Sequence, residues 1–402
     1  MSEPNLTGPG PTKLDLTGLS TKPSQVWGGI RLVPLVREKP ITDLRLRREL
    51  FEDALLAVEP GDGTVYTSYI PHGMIADWSR DGVWRAAYGT QLHESHADLL
   101  DRERPLPSVP MRRLVQRAGP QRVRFLPLHL ALEGYLSLHF GGPSVQWEEW
   151  SARALRRGLS PRSEMTFEGH EVVGLEEALR IFEILPGQCG MMVYAADAPA
   201  AAFVVPHPDD YRALHATLLQ DLYGELVYQH AYFGRPVPEF TARIDGTGIN
   251  SLAALRAAAV GQERAWARDH DEVMAGGLLD TSYDVRPLRR MGRYRLVRFL
   301  PPFERQREQH IGEAITDPSG RVAYLKTMRL TENQIRRGHL LSRLARNEWE
   351  LESTAADLGA TPAELIRRIE AAGFDGLLKR RIVEQVMLGD DVNRFTDGRR
   401  RG

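Results

Sequence analysis

Short apolar runs separated by turn residues dominate the first hundred residues and predict β-strands. Strand patterns begin at Gln25 in QVWGGIRLVPLVRE and return in TVYTSYI, GMIADWS and VWRAAYGTQL. The run Ser79-Arg80-Asp81-Gly82 predicts a hairpin turn between the last two of these strands. Residues 39–58 fit a strand or a helix equally well, and the polar, Gly- and Pro-rich residues 1–24 predict a flexible N-terminal segment. The opening third of the chain is therefore predicted to be β-rich.

The middle of the chain changes to longer patterns that are typical of helices. Prolines in residues 101–123 predict a connecting segment and a candidate sub-boundary of the body. Residues 126–140, LPLHLALEGYLSLHF, favour a buried helix, and VQWEEWSARALRRG and GLEEALRIFEIL also have helical spacing. The next segment, GMMVYAADAPAAAFVVPH, predicts two buried strands that turn at residues 196–199. A helix is predicted to follow from His207 to about Gln229.

The last part of the body combines one more helix with strands. A helix is predicted from Asn250-Ser251 to about Met274, and an Arg-rich strand from Arg293 to Leu300. Residues 311–330 predict a hairpin around Asp317-Pro318-Ser319-Gly320, whose residues suit a type I turn. The predicted fold class is α+β, with a mixed β-rich body and packed helices at residues 25–330, followed by a small all-α helix-turn-helix domain.

Residues 340–374 predict that C-terminal domain, because they suggest two short helices joined by a tight turn and preceded by a third helix. The last helix starts at Thr361-Pro362-Ala363-Glu364. There the Thr361 hydroxyl caps the helix, Pro362 occupies its first turn, and Glu364 reaches back to the Thr361 amide. The predicted domain covers residues 331–390, and residues 391–402 are predicted to be a disordered basic tail.

The exposed face of this last helix is the candidate DNA-binding surface. Leu365 and Ile369 are expected to turn inward, which leaves the neighbouring arginines to contact phosphates or guanine edges in the major groove. The DNA-binding candidates are Thr361, Ala363, Arg367, Arg368 and Lys379. Residues 321–402 contain 16 basic and 12 acidic residues, a net charge of +4, which is mild for DNA binding. A domain that mediates dimerisation or docks another protein is the alternative.

The composition limits the class of protein. With 402 residues, of which 42% are hydrophobic and 26% charged, the chain is expected to be globular and to form two or three domains. No apolar run reaches the ~20 residues that span a bilayer, and the N-terminal residues do not resemble a signal sequence, so we expect a cytoplasmic protein. The net charge of −1 provides no overall attraction to nucleic acid. Because only five of the 52 basic residues are Lys, clusters of Arg have little functional significance.

Catalytic motifs are weak in this sequence. His129 and Glu133 would share one face of a helix, and Asp197 lies in the predicted hairpin turn; these three are the candidate catalytic residues. Gly246-Thr247-Gly248 is a candidate ligand-binding loop between the predicted strand PEFTARI and a helix, although it lacks the Lys of a P-loop. The simpler interpretation of the three candidate catalytic residues is that they are ordinary core or turn polar groups. The simpler interpretation of the glycine loop is an ordinary turn between two elements. The single Cys189 is expected to be a buried, inert thiol, and we expect neither a metal nor a cofactor.

Several segments together resemble a known family. They are SQVWGGIRLVPLVREKPITDLRL, TSYIPHGMIADW, AAYGTQL, LHLALEGYLSLHFGGP and AFVVPHPDDYRALHATLLQDLYGELV. These segments are similar to the bacterial domain family named for its association with ADP-ribosylglycohydrolases and rhodanese/phosphatase-superfamily proteins (ARPP), in its second subtype. The resemblance covers roughly residues 26–330, with a Fis-like helix-turn-helix appended. It implies gene neighbours that process ADP-ribose-type or phosphorylated compounds, and it assigns no catalytic residue.

Two hypotheses for the function follow. The first is a non-enzymatic protein whose body recognises a ligand or partner and whose C-terminal helices bind DNA or dock a protein. The second is an enzyme or accessory protein that acts on ADP-ribose-type or phosphorylated substrates, with His129, Glu133 and Asp197 as its candidate residues. Neighbouring ADP-ribose-processing or phosphatase-type proteins are expected partners in either case, and the oligomeric state stays open.

Overall fold

The structure is a computed structural model of the chain. It describes residues 13–50, 56–58, 65–68, 72–78, 86–87, 91–93, 114–115, 122–125, 175–219 and 223–372, together with residues 374, 378, 381, 383, 384, 386 and 387. The predicted helix at residues 126–140, with His129 and Glu133, lies outside these residues, as do Lys379 and the predicted turn at residues 79–82.

A nine-stranded antiparallel sheet forms the centre of the body. Its strands are β1 (Leu19–Thr21), β2 (Gln25–Trp27), β3 (Ile30–Arg37), β12 (Gln188–Ala195), β13 (Ala198–Val204), β14 (Asp284–Met291), β15 (Tyr294–Leu300), β16 (His310–Thr316) and β17 (Val322–Arg329). The order across the sheet is β1-β3-β12-β13-β17-β16-β15-β14, and β2 pairs with β3. The two hairpins predicted from sequence, β12–β13 and β16–β17, are confirmed.

The remaining strands form smaller sheets. They are β4 (Leu44–Leu50), β5 (Leu56–Val58), β6 (Val65–Ser68), β7 (His72–Trp78), β8 (Ala86–Ala87), β9 (Gln91–His93), β10 (Leu114–Val115) and β11 (Arg122–Phe125). The β-rich opening third is confirmed, and the ambiguous residues 39–58 contribute the strands β4 and β5. The predicted hairpin between GMIADWS and VWRAAYGTQL is wrong, because β7 pairs with β4 and β11 while β8 pairs with β10.

The described helices lie on both faces of the main sheet and after its last strand. They are α1 (Leu175–Ala178), α2 (Pro208–Thr217), α3 (Gly224–Phe233), α4 (Leu252–Asp269), α5 (Gly276–Leu279), α6 (Glu332–Arg346), α7 (Leu351–Asp357) and α8 (Pro362–Ala371). A π-helical turn, His270–Met274, extends α4 to the predicted end of that helix. The helix predicted from His207 to about Gln229 is instead two helices, α2 and α3. The predicted strand PEFTARI is wrong, because residues 235–244 have no regular structure.

Each face of the main sheet buries its own hydrophobic core, as period-two alternation along the strands requires. One core joins the first face to α2, α3, β4 and β7; it includes Leu32, Met191 and Phe203. The other joins the opposite face to the end of α4 and to α5; it includes Val33 and Met192, the sequence neighbours of two residues in the first core. Because helices and strands are segregated around an antiparallel sheet, the α+β class is confirmed.

The C-terminal helices share a hydrophobic core with the end of the sheet. Leu300 on β15, Ile311 on β16, and Phe303 belong to the same buried cluster as Leu344 on α6 and Leu365 on α8. The cluster crosses the boundary expected near residue 330, so α6, α7 and α8 do not have a core separate from the body. At the other end of the chain, β1 lies within the segment expected to be flexible, and the ordered sheet begins before residue 25.

Candidate functional site

The start of α8 has the capping geometry that its sequence predicts. The Thr361 hydroxyl accepts a hydrogen bond from the Glu364 amide at 3.2 Å, and the Glu364 carboxylate accepts one from the Thr361 amide at 3.0 Å. This reciprocal capping box satisfies two backbone donors that would otherwise lack a partner, and Pro362 occupies the first turn. The first residue of the helix is therefore fixed by local chemistry.

The buried face of α8 is wider than the sequence predicts. Leu365 and Ile369 are buried as expected, but Ile366 and Ala363 are buried with them. Ala363 was a candidate DNA contact, and this prediction is wrong because the residue is buried and only 1% exposed. A helix that packs against more than one neighbour buries a broad stripe of side chains, and on α8 this stripe includes Ala363.

The exposed face of α8 is lined by Glu364, Arg367 and Arg368. These positions are three and four residues apart, so they form one stripe along the helix. The stripe carries both guanidinium groups together with the Glu364 carboxylate, which accepts the capping hydrogen bond, and Glu370 is also exposed beside them. Of the predicted DNA contacts, the structure therefore brings Thr361, Arg367 and Arg368 to one exposed helix.

A tight connection orients α8 against α7. Four residues, 358–361, separate the two helices, and Gly359 has a φ of +59°, the left-handed conformation that favours glycine. An ion pair also joins the preceding helix: Arg343 of α6 lies 3.2 Å from Asp357, the last residue of α7. The relative directions of the three helices are thus set by a glycine turn, one ion pair and a common core.

The predicted catalytic residues are not brought together by the described part of the chain. Asp197 lies in the two-residue turn between β12 and β13, with a side chain that is 77% exposed. It accepts a hydrogen bond from Arg31 at 3.1 Å, and Arg31 also donates to Ser24 and to the Pro238 carbonyl. His129 and Glu133 lie outside the described residues, so Asp197 is the one member of this set whose position is known. Its observed role is an ion pair with Arg31 at a turn.

The Gly246-Thr247-Gly248 loop is an exposed turn. The Asp245 carboxylate accepts hydrogen bonds from the Thr247 amide at 2.9 Å and from its hydroxyl at 2.7 Å. No atom lies within 4 Å of the position where a Cβ would stand on either glycine. The helix α4 starts further along the chain, where Ser251 caps the Ala254 amide at 3.1 Å. The loop is therefore an ordinary Asx turn. It does not include the first amides of α4, which are the groups that would have favoured an anion.

A buried hydrogen-bonded chain was missed by the sequence analysis. The Tyr194 hydroxyl lies 2.6 Å from Nε2 of His270, and Nδ1 of His270 lies 2.7 Å from the Asp271 carboxylate. The ring of Trp266 stacks on His270 with centroids 5.2 Å apart. Tyr194 and His270 are 0% exposed, so they hold the π-helical turn against the sheet, while the Asp271 carboxylate at the end of the chain is half exposed. Burial raises the pKa of Tyr194 well above its ordinary value.

A cationic cleft was also missed. It has a volume of about 360 Å³ and lies where β3 ends and β15 and β17 begin. Its lining residues are Thr17, Gly18, Arg37, Glu38, Lys39, Ile41, Arg293, Tyr294, Asp317, Arg321 and Val322. We refer to it as the Arg37 cleft. No local pattern predicts this cleft, because its side chains come from four segments that are far apart along the chain.

The single cysteine lies beside this cleft. Cys189 is 0% exposed, which confirms the expected buried thiol. Burial raises the pKa of Cys189 to about 11, although the neighbouring Arg37 guanidinium acts in the opposite direction. A thiol with so little thiolate at neutral pH is a poor nucleophile. Among the described residues, no group of three or more His, Cys, Asp or Glu side chains is arranged to hold a metal ion.

The fold and these surfaces define the chain as an α+β protein with a nine-stranded antiparallel sheet and three further helices packed at one end of that sheet. The ARPP-2 family model matches residues 14–292, which is more than half of the chain, and the chain belongs to the ARPP-2 family. No curated protein matches the chain. No solved structure matches it.

The family match ends within the central sheet. Residue 292 is in the turn between β14 and β15, yet β15, β16 and β17 complete the same sheet. The C-terminal helices α6, α7 and α8 lie wholly beyond the match. None of the described helices is both long enough and apolar enough to cross a lipid bilayer.

Proposed function

We propose that this chain is a two-part recognition protein. The ARPP-2 body recognises a ligand or partner, and α6, α7 and α8 form a helix-turn-helix whose last helix contacts DNA. The observation that carries the proposal is the exposed Arg367–Arg368 pair on a helix that a four-residue glycine turn fixes against α7. In helix-turn-helix proteins the second helix of such a unit enters the major groove.

The charges of α8 support contact with a polyanion through a small surface. Arg367 and Arg368 can bind phosphates or the O6 and N7 atoms of guanine. The carboxylate of Glu364 is held by the Thr361 amide and so faces the start of its own helix. Residues 331–372 contain six arginines and seven acidic residues. The surrounding surface therefore contributes little general attraction, and we expect binding to depend on these two arginines.

The shared core supports a connection between the two parts. Phe303, which follows β15, packs with Leu340 and Leu344 of α6 in one buried cluster. A change at the end of the sheet would therefore alter the packing beneath the helix pair, because close-packed cores transmit strain. We propose that the state of the body influences the C-terminal helices through this contact. Proteins that process ADP-ribose-type or phosphorylated compounds are the proposed partners of the body.

Titration of DNA tests the proposal. Fluorescence anisotropy would measure binding of the full chain to duplex DNA from the region upstream of its own coding sequence, at several salt concentrations. The double variant Arg367→Gln and Arg368→Gln should weaken binding by at least about tenfold and reduce the dependence of log K on log salt by about two. The matched control is Arg212→Gln with Arg307→Gln, two exposed arginines of the body that are each paired with a nearby carboxylate.

The controls separate the possible outcomes. Equal loss of affinity in both double variants would show that only net charge matters and would overturn the assignment of α8. If the unaltered chain binds this DNA no better than an unrelated duplex, the helices are better explained as a surface for a second copy or another protein. Sedimentation of the full chain would then reveal whether it dimerises.

A further inference from the structure

We infer that the Arg37 cleft binds the phosphate group of a small phosphorylated compound. The inference rests on the ligand-recognition half of the proposed function and is independent of its DNA-binding half. It assigns to the body a site and a chemical class of ligand that the family match does not provide.

The position of the cleft suits a ligand site. It lies at the end of the main sheet opposite the C-terminal helices, since Tyr294 begins β15 whereas Leu300, at the other end of that strand, joins the core of α6 and α8. Seven residues of strand separate the two ends by about 20 Å. A volume of about 360 Å³ is at the lower end of the range for sites that hold small molecules.

The charges that line the cleft favour an anion. Four cationic side chains, Arg37, Lys39, Arg293 and Arg321, face two carboxylates, Glu38 and Asp317, which gives a net lining charge of +2. Two of the cations are already matched. Arg321 pairs with Asp317 at 2.8 Å, and Arg293 pairs at 2.8 Å with Asp43, just outside the lining.

The other two cations have no carboxylate partner among the residues that the structure describes. Lys39 is exposed at the mouth of the cleft. Arg37 is only 7% exposed, and its Nη2 donates to the Val322 carbonyl at 3.1 Å. Its Nε is buried and has no hydrogen-bond acceptor in the described part of the chain. In the described part of the chain, this guanidinium is therefore a buried positive charge held by the Val322 and Ala323 carbonyls and the Cys189 thiol, with the Arg321 guanidinium nearby.

Burial of such a charge is costly unless an anion compensates it. Burial lowers the pKa of Arg37, but an arginine side chain keeps its proton in proteins, so the site stays cationic. An anion in the cleft would offset the lost hydration of the guanidinium. The fork of donors on arginine matches the geometry of a phosphate, and a lysine can add a second, flexible contact. With Asp43 counted against its partner Arg293, the cleft and its immediate surroundings keep a charge of +1, which still favours an anion.

Isothermal titration calorimetry of the full chain tests this inference with three probes: inorganic phosphate, pyrophosphate and citrate. We expect pyrophosphate and phosphate to bind, and citrate to bind at least about tenfold more weakly. Lys39→Gln should weaken phosphate binding by about tenfold, the effect of losing one charged hydrogen bond. Lys22→Gln removes a partly exposed lysine that pairs with Glu263 elsewhere on the body, and it should leave binding unchanged.

A second variant tests the buried cation directly. Arg37→Lys keeps the charge but loses the fork, and it should weaken phosphate binding while a melting curve confirms that the protein is folded. Three results would overturn the inference: no binding of either phosphate probe, equal binding of citrate, or equal effects of Lys39→Gln and Lys22→Gln. Phosphate binding should persist in the variant with Arg367→Gln and Arg368→Gln. Failure of the DNA proposal is therefore distinguishable from failure of this one.

Discussion

The hydroxyl of Tyr194 on β12 lies 2.6 Å from Nε2 of His270 in the π-helical turn after α4. The other ring nitrogen of His270 lies 2.7 Å from the Asp271 carboxylate, which also accepts a hydrogen bond from Thr21 on β1 at 2.9 Å. Because a carboxylate accepts hydrogen bonds, Nδ1 of His270 donates to Asp271, and the Tyr194 hydroxyl is the hydrogen-bond partner of Nε2. Three separate elements are thereby joined through one buried imidazole.

Replacement of Tyr194 by Phe tests this chain. The change keeps the ring in the core but leaves Nε2 of His270 buried without its hydrogen-bond partner, which should lower the free energy of unfolding by about 1–3 kcal/mol. Chemical denaturation monitored by circular dichroism measures the effect. Tyr232→Phe is the matched control, because Tyr232 is 56% exposed and should tolerate the change. Equal stability of the two variants would mean that the hydrogen bond contributes nothing to the fold.

A pair of glycine substitutions tests the joint between the body and the C-terminal helices. Gly338 on α6 is packed directly against the ring of Phe303, so the methyl group of Gly338→Ala would overlap that buried ring. We expect a loss of about 1–3 kcal/mol of stability. Gly261 on α4 is also helical but has no atom within 4 Å of the Cβ position, so Gly261→Ala should stabilise by up to about 1 kcal/mol. Denaturation curves of both variants check the predicted opposite signs.

Local chemistry explains the parts of the fold that could be predicted from sequence. The caps at Ser251 and Thr361 and the turn at Asp317 depend on residues within four positions of each other, and the structure contains all of them. The strand predicted in PEFTARI is not formed, because its alternating pattern pairs with no strand among the residues that the structure describes. A strand depends on hydrogen bonds to a partner, and the sequence of one segment does not reveal that partner.

In the candidate sites too, local features could be predicted from sequence, whereas features that depend on distant segments could not. The exposure of Arg367 and Arg368 on one helix could be predicted, because their spacing is fixed by the helix itself. Ala363 was placed on the wrong face, because the width of the buried stripe depends on how many neighbours α8 has. Arg37 on β3 and Tyr294 on β15 both line the Arg37 cleft, although four strands lie between β3 and β15 in the sheet, so their proximity depends on the three-dimensional path of the whole sheet. The separation of these residues along the chain hides that proximity from any local pattern.

Acid should destabilise the body through His215. This side chain is buried on α2, and burial lowers its pKa to about 4. Between pH 6.5 and 4 the unfolded chain binds a proton at this position while the folded chain does not, so stability is lost as the pH falls through this window. The loss should reach about 3 kcal/mol at pH 4.

Denaturation at pH 7, 5.5 and 4 compares the unaltered chain with His215→Gln. The variant is expected to be less stable at pH 7, because the replaced imidazole bonds the Tyr211 hydroxyl at 2.9 Å. The difference between the two proteins should shrink as the pH falls, since only the unaltered chain pays for keeping this imidazole neutral. His230→Gln, also in the body, controls for the loss of one histidine. A constant difference across the three pH values would rule out His215 as a source of acid sensitivity.

Alkylation of Cys189 should report the opening of the body. The thiol is fully buried, its Sγ lies 4.0 Å from the Pro206 carbonyl, and its pKa is raised to about 11 by burial. Both the lack of access and the scarcity of thiolate oppose reaction with iodoacetamide at pH 8. We expect one label per chain in denaturant, since the sequence has a single cysteine, and almost none over the same time in native buffer. Mass spectrometry of the intact chain measures both.

Labelling at the same rate in both conditions would show that β12 and β13 do not enclose the thiol in solution. The burial of the neighbouring Arg37 side chain would then also be in question.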